Sequence, residues 1–428
     1  MKHTNLFKYA LFSLGALMLT ACAHIAPETA KDAAAIPAPI AVTSNTLRTE
    51  RLDAVMAEMV SGGHVAGVSA LIIEGGTESY YHAEGFLDRE AGTPLPRSAV
   101  GRYYSMTKPI VGVAMMQLYE DGKYKLDDPL SKYLPEFTNM KVYAGASENG
   151  TPVLVDARRA ITVRDLMRHT SGLTYGFITQ TPVDIMYLKA DLLSFDNTPT
   201  QFSKKLATMP LAKQPGEQFI YSMSTDVQGR LIEVLSGQSL GDYLQDHIFA
   251  PLGMTHTGFT VKAADKDIFG PVYGQHEGEL IRLEDGMEAL PFLINQPFLT
   301  DMPFTSGGGG LVSSLDDYAK FTLMLRDKGG DLIKPETHAM MITDQLGGID
   351  NSWLGNDTSF GLNFALKTSD PAPGSLPIPK GSYYWGGMAG TYFWVDPAND
   401  LIFVMHMQMI SRAENTLRAK VAGAIYGK

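Results

Sequence analysis

A serine and a lysine stand three residues apart in Tyr103-Tyr104-Ser105-Met106-Thr107-Lys108-Pro109, directly ahead of the apolar run Ile110 to Tyr119. That run is hydrophobic on nearly every face, which predicts a buried helix ending at Gly122. Pro109 fits such a helix only if the helix begins near Ser105, because the first four amides have no intrahelical acceptor to lose. Ser105 is then expected at a helix N-terminus, where free amides and the dipole favour developing negative charge, with Lys108 one turn on and facing the same way. A lysine held in apolar surroundings loses preference for its ammonium form and can take a proton from a serine hydroxyl, leaving an alkoxide-like nucleophile. Ser-x-x-Lys alone is a weak signal, because such tetrapeptides arise by chance.

Two further runs supply groups of the kind this chemistry needs. Tyr221-Ser222-Met223 follows the turn Pro215-Gly216 and precedes an amphipathic run through Leu235. A tyrosine aimed at the Ser-Lys pair could relay the proton to a leaving group, although Tyr221 on its own equally fits a core tyrosine. Trp385-Gly386-Gly387-Met388 precedes a strand-like run, where small residues let an acyl group approach the backbone and amides near Met388 could face an oxyanion. A plain glycine turn explains that run equally well when it is taken alone.

Other serines and histidines carry weaker claims. Gly237-Gln238-Ser239-Leu240-Gly241 has the pattern of a nucleophile elbow, but an elbow follows a buried strand, whereas Ser239 stands between two helical runs and reads as an N-cap. The ten histidines show no spacing suited to zinc, so neither a metal nor another cofactor is expected. His169 fits a structural hydrogen bond better than a catalytic triad.

The elements that must position these groups come largely from the two chain ends. Leu47 to Val60 has helical period; the strand-like runs 67–73 and 79–86 flank Glu74-Gly75-Gly76-Thr77 as a hairpin; 391–395 and 401–407 form a second pair around Asp396-Pro397; and a helix closes the chain from about residue 412. This predicts an α+β fold, an antiparallel sheet built from both ends and flanked by helices. Residues 47–130 and 300–428 form the α/β domain, and 131–299 a mostly helical insertion.

With 35 Lys and Arg against 46 Asp and Glu, the net charge of −11 repels phosphate backbones, so nucleic acid is not an expected partner. The single cysteine, Cys22, ends a segment with basic residues at Lys2 and Lys8 and an apolar stretch from 9 to 19 too short to span a bilayer. Residues 1–21 are expected to be a signal peptide. The order Leu19-Thr20-Ala21-Cys22 resembles a bacterial lipobox, which implies cleavage before Cys22 and its acylation. Residues 22–46 then form a flexible tether, and Ala23 after the cysteine suggests an outer-membrane lipoprotein facing the periplasm.

Taken together, Ser105-x-x-Lys108, Tyr221-Ser-Met and Trp385-Gly-Gly stand in the order and spacing of serine β-lactamase-like hydrolases, and the chain most closely resembles the family VIII carboxylesterases, relatives of class C β-lactamases. The stretches 161–173 and 308–318 resemble two further parts of that family, so the likeness runs from about 47 to 426. It implies Ser105 as nucleophile, Lys108 and Tyr221 as the proton-handling pair, and the Ser105 and Met388 amides as oxyanion donors. Two departures bear on substrate. Class C β-lactamases have an asparagine where Met223 stands and a lysine where Trp385 stands, so both an amide and a positive charge are missing. The expected substrate is a small, weakly polar carboxylic ester. The rival readings are a β-lactamase or D-Ala-D-Ala peptidase on the same fold, and a non-catalytic envelope lipoprotein using the cleft for binding.

Overall fold

In a computed structural model, residues 45–178, 180–284, 296–411 and 414–427 are described; Cys22, the apolar stretch before it and most of the tether lie outside them. The first helix, α1, spans Asn45–Ser61. A hairpin follows, β1 Gly67–Glu74 and β2 Thr77–Asp88, turning at Gly75-Gly76. Short strands β3 Thr93–Pro94 and β4 Val100–Arg102 lead to the helix α2, Thr107–Glu120.

The segment from 131 to 299 contains helices α3 Val163–Met167, α4 Pro182–Lys189, α5 Pro199–Ala207, α6 Ser224–Ser236 and α7 Leu240–Leu244. It also contains two hairpins that were not expected, β5 Lys141–Ala146 with β6 Pro152–Asp156 and β7 Val272–His276 with β8 Glu279–Leu283. Every residue of β6 is exposed, so it has no buried face and leaves no alternating pattern in the sequence.

The chain then returns through β9 Val312–Ser314, β10 Thr358–Phe360, β11 Ala365–Lys367, β12 Tyr383–Gly386, β13 Tyr392–Asp396 and β14 Leu401–Met407. One antiparallel sheet of eight strands results, in the order β10-β11-β12-β13-β14-β1-β2-β3. Both chain ends meet at its centre, where Val68 pairs with Met407 and Glu74 with Leu401.

Alternation within the central strands builds two cores. Leu401, Phe403, Met405 and Met407 of β14 face α1 (Leu52, Met56, Met59) and the final helix Glu414–Tyr426 (Leu417, Val421, Ile425). Ile402 and Val404 face the other way, into a larger cluster holding α2, α6 and the helix Leu315–Arg326. Strands buried on both sides read as continuous apolar runs, which is why 67–73 and 401–407 stand out in the sequence.

Candidate active site

The turn that carries Ser105 is a single 3-10 turn, Tyr104–Met106, running directly into α2. Tyr104 has φ of 41°, a left-handed conformation costly for a tyrosine and tolerated where surrounding packing holds it. That packing is dense. Arg102 pairs with Val312 between β4 and β9, the Tyr103 N–H donates to the Leu311 carbonyl at 3.0 Å, and the Tyr318 hydroxyl donates to the Met106 carbonyl at 3.0 Å. As expected, α2 is buried almost throughout, and it stops at Glu120, with Asp121 between it and the left-handed Gly122.

Lys108 is fully buried one turn from Ser105, and its Nζ donates to Ser105 Oγ at 3.2 Å and to the Gly308 carbonyl at 2.5 Å. Burial lowers its pKa to about 7, against the pull of the Asp226 charge, which favours the ammonium. A lone pair is therefore available near neutral pH.

The Tyr221 hydroxyl donates to Ser105 Oγ at 2.7 Å, so Ser105 meets both expected partners at once. Lys108 Nζ also lies 4.6 Å from the centre of the Tyr221 ring and 5.1 Å from that of Tyr175. His169 holds Tyr221 in place from behind. Its carbonyl accepts the Ile220 N–H at 2.8 Å, its Nδ1 lies 3.2 Å from Ser222 Oγ, and its ring packs on the Tyr221 ring with centroids 5.1 Å apart. Burial first, and the neighbouring Lys108 charge second, push its pKa well below the usual range, so His169 acts as a neutral support.

Met223 is the N-cap of α6 and is buried. Trp385 and Gly386 end β12, one step earlier than a turn before the strand would have them, and Gly387 to Gly390 make the turn into β13. Gly387 is required by close approach, since a side chain there would collide with the Tyr103 carbonyl and Thr391 Oγ1. Its carbonyl accepts Arg418 Nη2 from the final helix at 2.6 Å, and its N–H donates to the Thr391 carbonyl at 2.8 Å. The next amide, Met388, and that of Ser105 have no backbone acceptor among the described residues.

Three residues of the site were not singled out for a role by their sequence positions. The Gly308 carbonyl receives Lys108, while the Gly308 N–H, at 3.0 Å, and the Ser306 hydroxyl, at 2.5 Å, both donate to Asp226 Oδ1. A side chain at Gly308 would strike the Asp226 carboxylate and the Tyr175 hydroxyl. Burial raises the Asp226 pKa above the ordinary carboxylate value, opposed chiefly by Lys108, and Oδ2 has no hydrogen-bond partner among the described residues. Asp226 lies in the first turn of α6, where an acidic residue reads from sequence simply as a complement to the helix dipole.

Ser239 caps α7, its Oγ accepting the Asp242 N–H at 3.1 Å, as its flanking helices predicted.

A hydroxyl nucleophile at a helix start, touched by a buried lysine and a tyrosine and carrying an amide of its own without a backbone acceptor among the described residues, defines a centre for acyl transfer through a serine ester. The beta-lactamase family model matches residues 52–423, and the chain belongs to this family of serine β-lactamase-like hydrolases. It is 32% identical over 388 residues to Protein Rv1367c of Mycobacterium tuberculosis, covering 86% of this chain and 91% of that protein. It is 31% identical over 362 residues to Esterase EstB of Burkholderia gladioli, covering 81% and 87%. The solved structure of EstCE1, described as a hydrolase with promiscuous acyltransferase activity, superposes with a TM-score of 0.75 at 26% identity, covering 90% of this chain and all of that one.

Proposed function

We propose that the chain is a serine carboxylesterase that cleaves small carboxylic esters through an acyl-enzyme intermediate. The observation that carries this reading is the simultaneous contact of Ser105 Oγ with Lys108 Nζ at 3.2 Å and the Tyr221 hydroxyl at 2.7 Å. Ser105 Oγ attacks the ester carbonyl as neutral Lys108 takes its proton, and the Ser105 and Met388 amides stabilise the oxyanion. The tetrahedral adduct collapses as Tyr221 passes a proton to the departing alcohol and recovers one from Lys108. Water, activated by the same pair, then attacks the acyl group and restores Ser105. In this reading the site forms where the segment 131–299, which brings Tyr221, meets the sheet-bearing parts 47–130 and 300–428.

Met223 and Trp385 leave the site without the amide and the ammonium that would receive an acylamino carboxylate substrate. This supports an ester over a β-lactam or a D-Ala-D-Ala peptide, in keeping with the names carried by EstB and EstCE1. The deciding experiment is labelling with a fluorophosphonate and mapping the modified peptide. Label on Ser105 is expected; label on Ser239, or none on active protein, would overturn the assignment.

The sequence around Cys22 supports a lipoprotein exported across the inner membrane and held on the outer membrane by its acylated cysteine. Cys22→Ser is expected to abolish incorporation of labelled fatty acid and to leave the chain unprocessed. Undiminished incorporation would remove the anchor from this account.

A further inference from the structure

Tyr221 lies within a cluster of rings. Its ring packs on Tyr175 at 5.2 Å, on Trp385 at 5.3 Å and, nearly parallel at 16°, on Trp353 at 5.4 Å. Trp353 also stacks on Phe219 at 5.8 Å. It differs from its neighbours in one respect, being 51% exposed while Trp385 is 8% exposed and Tyr221 9%. An indole with this much open surface, one ring away from the hydroxyl that touches Ser105, is not serving as core.

The loop carrying Trp353 is firmly held. The Asp350 carbonyl accepts the Phe219 N–H at 2.8 Å, Asp350 Oδ2 accepts Gln218 Nε2 at 3.0 Å, and Asn351 Nδ2 donates to the Thr358 carbonyl at 3.0 Å. The indole is therefore presented at a fixed place, and a fixed aromatic surface binds flat rings at little entropic cost.

We propose that Trp353 is a binding platform for the alcohol half of the substrate, and that the enzyme favours esters of aromatic alcohols. The inference rests on the carboxylesterase reading, in which Tyr221 protonates the departing alcohol. That step brings the leaving oxygen within hydrogen-bond reach of the Tyr221 hydroxyl, so the group attached to it runs along the side of the site where Trp353 stacks on Tyr221. The acyl half is directed elsewhere. A cavity of about 110 Å³, with Phe195, Phe259, Phe298 and Phe304 beside Asp301 and Ser306 in its lining, adjoins Tyr104, whose ring meets Phe298 edge-on at 6.1 Å.

The test compares benzyl butyrate with n-butyl butyrate, which share an acyl group and have alcohols of similar leaving ability. Trp353→Ala is expected to lower kcat/KM for the benzyl ester roughly three- to tenfold, mainly through KM, and to leave the butyl ester within about twofold. Trp353→Phe, which keeps a flat ring, restores most of the loss. If Trp353 merely buttressed Tyr221, kcat for both esters would fall together; that outcome, or an unchanged benzyl-to-butyl ratio, overturns the proposal.

A second readout is independent of turnover. In Ser105→Ala protein, benzyl butyrate should quench or blue-shift tryptophan emission, because Trp353 is the exposed one of the three tryptophans. The change should vanish in the Ser105→Ala, Trp353→Phe double variant; its persistence counts against the platform. Fluorophosphonate labelling of Ser105 separates the two layers. With labelling intact, an unchanged ester ratio removes the platform alone, whereas loss of labelling in active wild-type protein removes the esterase reading and the platform with it.

Discussion

Asp226→Asn removes one charge beside Lys108 while keeping an oxygen that can accept from Ser306 and Gly308. Burial brings Lys108 down to about 7, and the Asp226 carboxylate is what resists that fall. Two further groups beside Lys108 stay neutral, His169 because its pKa lies well below the usual range and Tyr175 because burial holds its pKa well above. Loss of the carboxylate should therefore lower the Lys108 pKa further. An opposite charge a few ångströms away moves a pKa by about 1 to 3 units, and the lower end applies here because Asp226 is itself hard to ionise. With a midpoint near 7, roughly one-tenth of the wild-type enzyme holds neutral Lys108 at pH 6; with a midpoint near 6, about half does, roughly a fivefold gain. The assay is kcat/KM for a short p-nitrophenyl ester between pH 5 and 9 at constant ionic strength, each enzyme scaled to its own alkaline plateau. Wild type should climb through a single limb and Asp226→Asn should climb earlier. A limb that stays in place would mean that Asp226 is protonated in the working enzyme, and the electrostatic reasoning would fail.

Lys108→Met should give an inactive protein that is nonetheless more stable. The folded pKa of Lys108 lies below its unfolded value of about 10.4, so the unfolded chain binds the extra proton across the window from about 7 to 10.4; the penalty is full below that window and fades as pH rises through it. Urea melts should show a gain on the order of 2 kcal/mol at pH 7 that shrinks toward pH 10, and a less stable variant at pH 7 would contradict this. Ser105→Ala should abolish ester hydrolysis, whereas Ser239→Ala should cost about 1 kcal/mol of stability through its cap and leave kcat/KM unchanged; equal loss of activity from both would reopen the choice of nucleophile. Short-chain esters should be turned over at least about tenfold more efficiently than benzylpenicillin, because a lost charge-assisted hydrogen bond is worth roughly 1.5 to 3 kcal/mol; a preference for penicillin would return the chain to the β-lactamase reading.

What could be read from the sequence was whatever the local chain dictates. Ser105 and Lys108 were legible together because Pro109 constrains where a helix can start, and the spacing then sets their shared face. The central strands were legible because burial on both sides leaves mostly apolar residues in β1 and β14. Gly308 and Asp226 were not, since their roles depend on a carbonyl and a carboxylate meeting across a fold, a juxtaposition that no period or spacing encodes. Trp353 sits in a loop with no periodicity, and its significance comes entirely from the ring it stacks on. The hairpin of β5 and β6 was missed for the opposite reason to β14: with Pro152–Asp156 exposed throughout, nothing in the pattern distinguishes strand from loop.

The pairing of β1 with β14 has a consequence for when the enzyme can work. Val68 finds its partner only once Met407 exists, and Gly387, lying on the backbone of Tyr103, is gripped by Arg418 from the final helix. Contacts so distant along the chain form late and slowly during folding. A chain that ends ahead of Arg418 has the nucleophile but not the grip on the strand edge beside it. Hydrolytic capacity thus waits for the segments that carry Met407 and Arg418, and a chain clipped ahead of them is left without a working centre.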